Sequence, residues 1–502
     1  MKKAFPLVLV ALVAGMANLR SQPLALGQWR TELTYRNALS VTASANKVYC
    51  ATEVSFYSVD LADGSMQTYS KVNGLSDIKT SLLAYSTQHD LLLICYSNSN
   101  IDVMKNGNVV NISDLKRKSI VGDKAIYCVY FLGDYAYLGT GFGIVVLDVV
   151  KNEIKDTYYI GTNGAGLQVN GITGDGSYLY AATPSGVYRG SLDDPFLADF
   201  SRWHLFTNEE GLFTGNFSSA VYFSNQVLVS KADSIFRYEN GSWKPYLVRN
   251  DLDIKKMSVS GNHLLTTHIA SAGTRVMVFD ESGAIDSVNS PQPYEAVEAG
   301  SSLWIADLYN GLQRYSPPNL ESIYPNGPFS SKVFDLAVNS RRHNLYLAPG
   351  GWNSSFGFVF NQDGFFTRIE DYWSRFYVDQ VWDFVCAAVD PVTHHVFFGN
   401  ITDGVYEFDD ELGIVNHFDK TNSTLSGANG DTQRVKAADI EFDRFNNMWV
   451  SNIGALVPVC LKKPDGTWLE FSPSFQIDQG WVTNIAFDEF DQVWFILPRQ
   501  GV

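Results

Sequence analysis

Lys116-Arg117-Lys118 is the one dense basic run in a 502-residue chain whose 37 Lys and Arg are outnumbered by 53 Asp and Glu, giving a net charge of -16. Guanidinium forks and ammonium groups are what a phosphate or carboxylate head group requires. The run is therefore a candidate anion-binding site, with a solvated loop as the plainer alternative. Around it the acidic field repels phosphate backbones, which excludes nucleic acid as a partner class. The second candidate is aromatic. Tyr372, Trp373, Arg375, Phe376, Tyr377 and Trp382 crowd a segment too aromatic for an idle connector. Aromatic and Arg side chains dominate binding hot spots because they bury much area at little cost in rotamer entropy. Contact with a partner and packing between two halves of the molecule account for the segment equally well.

The other chemistry-bearing groups lead elsewhere. Gly139-Thr140-Gly141-Phe142-Gly143 feeds a strand rather than a helix, so it reads as a hairpin and not a dinucleotide loop. His394 and His395 are adjacent on a strand and point to opposite faces. The acidic pairs Asp193-Asp194 and Asp409-Asp410 fall where outer loops are expected. Cys50, Cys95, Cys128, Cys386 and Cys460 stand singly on strands without C-x-x-C spacing, the pattern of buried free thiols. With no nucleophile elbow, zincin helix, P-loop or calcium loop, the sequence assigns no catalytic residue, no metal and no cofactor.

These groups sit on a repeat. Leu303-Trp304-Ile305-Ala306 turns at Gly311 into Leu312-Gln313-Arg314-Tyr315, and relatives of this hairpin recur at 137–147, 179–188 and 396–408. Ile101, Ile144 and Val187 are spaced by 43 residues each time. A period of that length with about four short strands per repeat marks propeller blades. The expected fold is all-β: a seven-bladed propeller over 22–326, then a second, incomplete one over 327–502 with about three and a half blades. The strand expected at 29–35, which looks like the outer strands beginning at Trp203, Trp243 and Trp468, is read as closing the first ring against its last blade. Residues 1–21 read as a secretory signal: Met1-Lys2-Lys3 precedes a short apolar run to Ala17. No later run is apolar enough for a transmembrane helix.

The repeat resembles the two-component-regulator propeller repeat at Asn73-Gly74-Leu75-Ser76-Asp77 and Leu303-Trp304-Ile305-Ala306. More specifically, the first ring resembles the N-terminal propeller of the PorZ family of the type IX secretion system. The stretches that carry the resemblance are 73–77, 96–102, 112–120, 141–148 and 153–161. They cover the first three blades. The resemblance implies two propellers and a C-terminal β-sandwich exported to the outer-membrane surface. It also implies partnership with a sortase-type cell-surface protease and other attachment-complex proteins, and with anionic lipopolysaccharide. Glu32 stands where the family tends to have His. The expectation is a non-enzymatic scaffold or lipopolysaccharide carrier. The alternatives are the periplasmic glycan-sensing domain of a hybrid two-component receptor, selected by a downstream transmembrane helix and kinase, and a carbohydrate-active enzyme.

Overall fold

The structure is a computed structural model that describes residues 27–502 except 249–252, 271–272, 356 and 472–473. The expected signal segment, residues 1–21, lies outside the described residues. The chain divides into two compact units, Leu33–Gly327 and Pro328–Val502, the second joined by the described residues up to Glu32.

The first unit is built from seven four-stranded antiparallel sheets among the described residues, spanning 38–69, 80–112, 126–158, 171–205, 219–248, 254–289 and 293–322. Each sheet takes its four strands from one contiguous stretch of chain. Its innermost strand neighbours those of the sheets before and after, and that of the seventh meets that of the first, so the sheets are the blades of a closed ring. Burial follows position in the blade. Leu91–Tyr96, the second strand of its blade, is buried at every residue because both faces meet neighbouring blades, whereas the outermost strand Asn108–Ile112 buries only its last residue. The two-residue hairpins obey their turn chemistry: Asn106 and Gly107 have φ of 50° and 77°, and Asn240 and Gly241 have 52° and 82°. A type I′ turn needs positive φ at both positions.

Inner-strand side chains tie blade to blade by reaching a backbone N–H of the next inner strand. Leu83 N donates to Ser40 Oγ at 3.2 Å, Met257 N to Ser219 Oγ at 3.2 Å and Glu298 N to Ser260 Oγ at 3.0 Å. The last joint uses a carboxylate. Glu295 Oε2 accepts from Ser40 Oγ at 2.6 Å and Val41 N at 3.1 Å, while its Oε1 holds Lys256 Nζ at 2.6 Å.

Ring closure differs from the expectation. Residues 29–35 form no strand, and the seventh blade fills its outer edge with its own Asn319–Ser322, which folds straight back on Gly311–Ser316. That edge has no vacancy for an incoming strand. Trp29 is 82% exposed, unlike Trp203 at 7% and Trp243 at 3%, so the likeness to the outer-strand tryptophans was one of sequence only. The segment divides instead at Glu32. Tyr35 is buried against Tyr57 in the first unit, and Leu33 passes so near Gly327 that a Cβ there would lie 2.2 Å from the Leu33 carbonyl oxygen. Arg30 and Glu32 belong to the second unit.

Among the described residues, the second unit has three four-stranded sheets, 335–376, 384–418 and 437–471, and two two-stranded pairs, Gly427–Ala428 with Asp431–Val435 and Asn484–Phe487 with Val493–Ile496. Its inner strands use the same joint: Ala387 N donates to Asp335 Oδ2 at 2.9 Å and Ile485 N to Asp439 Oδ2 at 2.7 Å. Both units also share a close approach. A Cβ on Gly139 would lie 2.5 Å from Cys128 Sγ, and one on Gly399 would lie 2.5 Å from Cys386 Sγ, its partner across the strands. All five cysteines are free thiols, and burial pushes those of Cys50, Cys95 and Cys128 up to about 12.

Candidate functional site

The basic run lies where the chain leaves the second blade for the third. Lys116 and Arg117 end a one-turn helix, Asp114–Arg117, and Lys118 follows it. The helix is fixed from outside. Lys124 Nζ donates to the carbonyl oxygens of Leu115 at 3.2 Å, Lys116 at 2.8 Å and Lys118 at 3.1 Å, placing a cation on carbonyls that have no helical partner.

The three side chains have different surroundings. Lys116 Nζ is paired with Asp77 Oδ2 at 2.5 Å. The same carboxylate accepts from Asn98 Nδ2 at 2.7 Å, Asn100 Nδ2 at 3.3 Å and Ile78 N at 3.0 Å. Burial opposes its ionisation, but the bonds from Lys116, Asn98 and Ile78 outweigh it and hold the carboxyl down at about 2. The network continues from Asn100 through Asn111 to Asp102, which also receives Tyr96 Oη at 2.6 Å and Ser76 N at 2.9 Å. Three of the five stretches that carry the PorZ resemblance, 73–77, 96–102 and 112–120, thus meet in one hydrogen-bonded cluster. Lys116 is spent inside it.

Arg117 and Lys118 face a cavity of about 550 Å³ between this connection and the third blade. Its floor is apolar, with Leu115, Ile120, Phe142, Val145 and Ile154, and Asp114 and Glu153 also line it. Arg117 reaches Asp114 only at 3.5 Å and is largely exposed. An anionic group attached to an apolar body suits such a place. The basic run is therefore two available cations rather than three.

The aromatic segment comes apart in the structure. Tyr372–Phe376 is the outer strand of its blade, not a connector. Trp373 is buried and donates Nε1 to Glu32 Oε2 at 2.9 Å. Arg375 donates to the carbonyls of Asp363 at 2.7 Å and Gln362 at 2.9 Å and lies 3.8 Å over the Phe329 ring. Phe376 stacks on Phe365 at 5.3 Å. These three are occupied within their own unit, whereas Tyr372 and Tyr377 are exposed. Trp382 belongs to a different group, with Phe358 at 6.2 Å and Phe360 at 5.3 Å.

Two acidic features were not singled out in the sequence. Asp439 and Glu441 lie on one inner strand with Asp335 on another; burial, against the pull of the Ile485 N–H and with repulsion from Asp335, pushes Asp439 up to about 6, and burial with repulsion from Asp439 and Asp335 pushes Glu441 up to about 7. Asp403, His417 and Asp419 bring potential ligand atoms within 4.8 Å of one another. Each is already engaged: His417 Nε2 with the Asp403 carbonyl at 2.6 Å, and Asp419 Oδ1 with Thr421 N at 2.7 Å. His394 and His395 precede the strand Val396–Asn400 rather than lying on it, and they diverge, the first to Arg341 and the second to Glu407.

A family model described as the PorZ N-terminal β-propeller domain of the type IX secretion system matches residues 48–204. Over those residues the first unit is similar to the PorZ N-terminal propeller. The solved structure of PorZ from Porphyromonas gingivalis, described as an essential bacterial surface component of that secretion system, superposes with a TM-score of 0.78 at 21% identity. The superposition covers 93% of this chain and 63% of PorZ, so the chain spans less than two thirds of its length. The extracellular domain of a hybrid two-component system from B. thetaiotaomicron is also similar, at 12% identity and a TM-score of 0.43, covering 95% of this chain and 69% of that one. No curated protein matches the chain. The PorZ-type match takes in the Asp77 network, and it ends before the fifth blade begins.

Proposed function

We propose that the chain is the propeller portion of a non-enzymatic, exported component of the type IX secretion system, acting at the cell surface as a scaffold or as a carrier of anionic lipopolysaccharide. The match of residues 48–204 to the PorZ N-terminal propeller carries this reading. The superposition on PorZ over 93% of the chain agrees with it in fold. Within it, Arg117 and Lys118 are the groups assigned to an acidic head group, and the apolar floor of the neighbouring cavity to the body that bears it. A sortase-type surface protease and other attachment-complex proteins are the protein partners. The test is to purify the natural full-length protein from its own envelope under mild detergent. Co-purification of a surface protease and lipopolysaccharide is the expected outcome. Recovery as one chain with a membrane-embedded kinase would replace this reading with the receptor one.

A further inference from the structure

The second unit carries an aromatic group unlike its packed core. Phe358, Phe360 and Trp382 stand mutually within 6.2 Å, and two cations lie against them. Arg434 is 5.1 Å from the Phe358 ring centroid and 5.7 Å from that of Trp382, and Lys436 Nζ is 5.1 Å from that of Phe358. Arg434 is paired with Asp431 at 3.1 Å. Lys436 makes no close ion pair among the described residues; burial lowers its pKa, while the Asp431 carboxylate that holds Arg434 acts on it only at longer range.

The rings are held in place rather than left over. The buried Asp383 carboxylate accepts from three successive backbone N–H groups, Val359 and Phe360 at 3.1 Å each and Asn361 at 2.9 Å. Phe360 is thereby fixed at φ +57°, a left-handed conformation that a bulky residue rarely adopts, with 61% of its surface exposed. Backbone strain maintained to expose an aromatic ring is a mark of recognition surfaces. Trp382 is braced at both ends of its backbone by Thr402, at 3.2 and 2.9 Å. Its indole N–H is shielded from water without an acceptor among the described residues.

We propose that Phe358, Phe360, Trp382, Arg434 and Lys436 form a binding site for an acidic sugar residue of a glycan. A pyranose presents a flat C–H face to an aromatic ring, hydroxyl and ring oxygens to an unsatisfied N–H, and a carboxylate or phosphate to an ammonium and a guanidinium. A lipid surface is the poorer fit, since an extended anionic bilayer meets the field of the whole chain with its net charge of -16, whereas a single acidic sugar meets chiefly the two cations that lie within a Debye length of it. The site is separate from the Arg117 and Lys118 cavity and does not rest on the secretion role, so either can fail alone.

The test is calorimetric titration of the whole chain with oligogalacturonate, with its methyl ester and with a phosphorylated mannose oligosaccharide. The variants are Lys436→Gln, Trp382→Phe, which keeps a ring but removes the N–H, and Phe360→Gly, which removes the ring and suits the left-handed backbone. Thermal melting checks each fold. The free acid or the phosphate is expected to bind at least about tenfold more tightly than the ester, and whichever binds identifies the acid. Lys436→Gln should lose that preference, Phe360→Gly should weaken binding about tenfold or more, and Trp382→Phe should weaken it several-fold. Three results would each overturn the proposal: equal affinity for acid and ester, unchanged affinity in Lys436→Gln and Phe360→Gly, or binding to anionic vesicles with no oligosaccharide bound up to millimolar concentration.

Discussion

Replacing Lys116 with Gln separates a structural lysine from its two neighbours. The Asp77 carboxyl falls from its ordinary 3.8 to about 2 on folding. At about 1.36 kcal/mol per pH unit this is roughly 2 kcal/mol for all its bonds together, net of burial. Lys116 supplies the largest favourable contribution, but its side chain is 42% exposed. Solvent screening reduces its own share to about 1 kcal/mol. The remaining donors, Asn98, Asn100 and Ile78 N, stay in place in the variant. Because the pKa is lowered in the folded state, the stabilisation is complete above the ordinary value and is lost as pH falls through about 2. Scanning calorimetry at pH 7 should therefore show the Lys116→Gln first unit melting about 1.5–2 °C lower, with the gap narrowing below pH 4. Arg117→Gln and Lys118→Gln should melt within a degree of the parent. A Lys116→Gln protein as stable as the parent at pH 7, or an equal loss in either neighbour, would refute the assignment.

Other outcomes follow from the same geometry. The double variant Arg117→Gln, Lys118→Gln is expected to lower lipopolysaccharide affinity and its dependence on salt without changing the melting profile, measured by titration at low and high ionic strength. Asp439→Asn should stabilise the second unit by about 1 kcal/mol at pH 8 and hardly at all at pH 4 in urea titrations. Its pKa is raised on folding, so the charged carboxylate costs stability as pH rises through about 6, while the amide oxygen can still accept from Ile485 N. Gly139→Ala should cost about 3 kcal/mol or more, because the new methyl would meet Cys128 Sγ at 2.5 Å and the Val169 carbonyl oxygen at 2.7 Å. Alkylation in denaturant without reductant should label five cysteines, and mass spectrometry showing three or one would contradict the free-thiol arrangement.

Periodicity made the architecture legible. Alternating apolar strands, Asn-Gly turns and the 43-residue spacing each depend on contacts within a blade or between adjacent ones, and such contacts leave a regular trace. The closing of the ring was not legible in the same way. Trp29 has the residue type and spacing of an outer-strand tryptophan, yet whether an edge is vacant depends on Asn319–Ser322, nearly 300 residues away. The sites show the same division. Lys116-Arg117-Lys118 stood out by composition, but that Lys116 is neutralised by Asp77 is a matter of two blade ends meeting. Trp382 was found as part of an aromatic run, whereas its real companions Phe358, Phe360 and Arg434 come from two other parts of the chain. The Phe-rich stretch just before 361, interrupted by Gly357, was the one local sign of them.

Every blade of the first unit is folded from an unbroken length of chain, and the ring is joined by side chains reaching the next backbone. Among the described residues, no strand is traded between the two ends. The join at Glu295 and Val41 uses a carboxylate where those at Ser40 and Ser219 use a hydroxyl, yet it too is a side chain accepting from the next backbone N–H. A gene encoding the unit could be cut at another blade boundary and its old ends linked where Leu33 passes Gly327, leaving every sheet intact. Blades can likewise be gained or lost as whole modules, which gives such a ring a route to change its size without unmaking a strand.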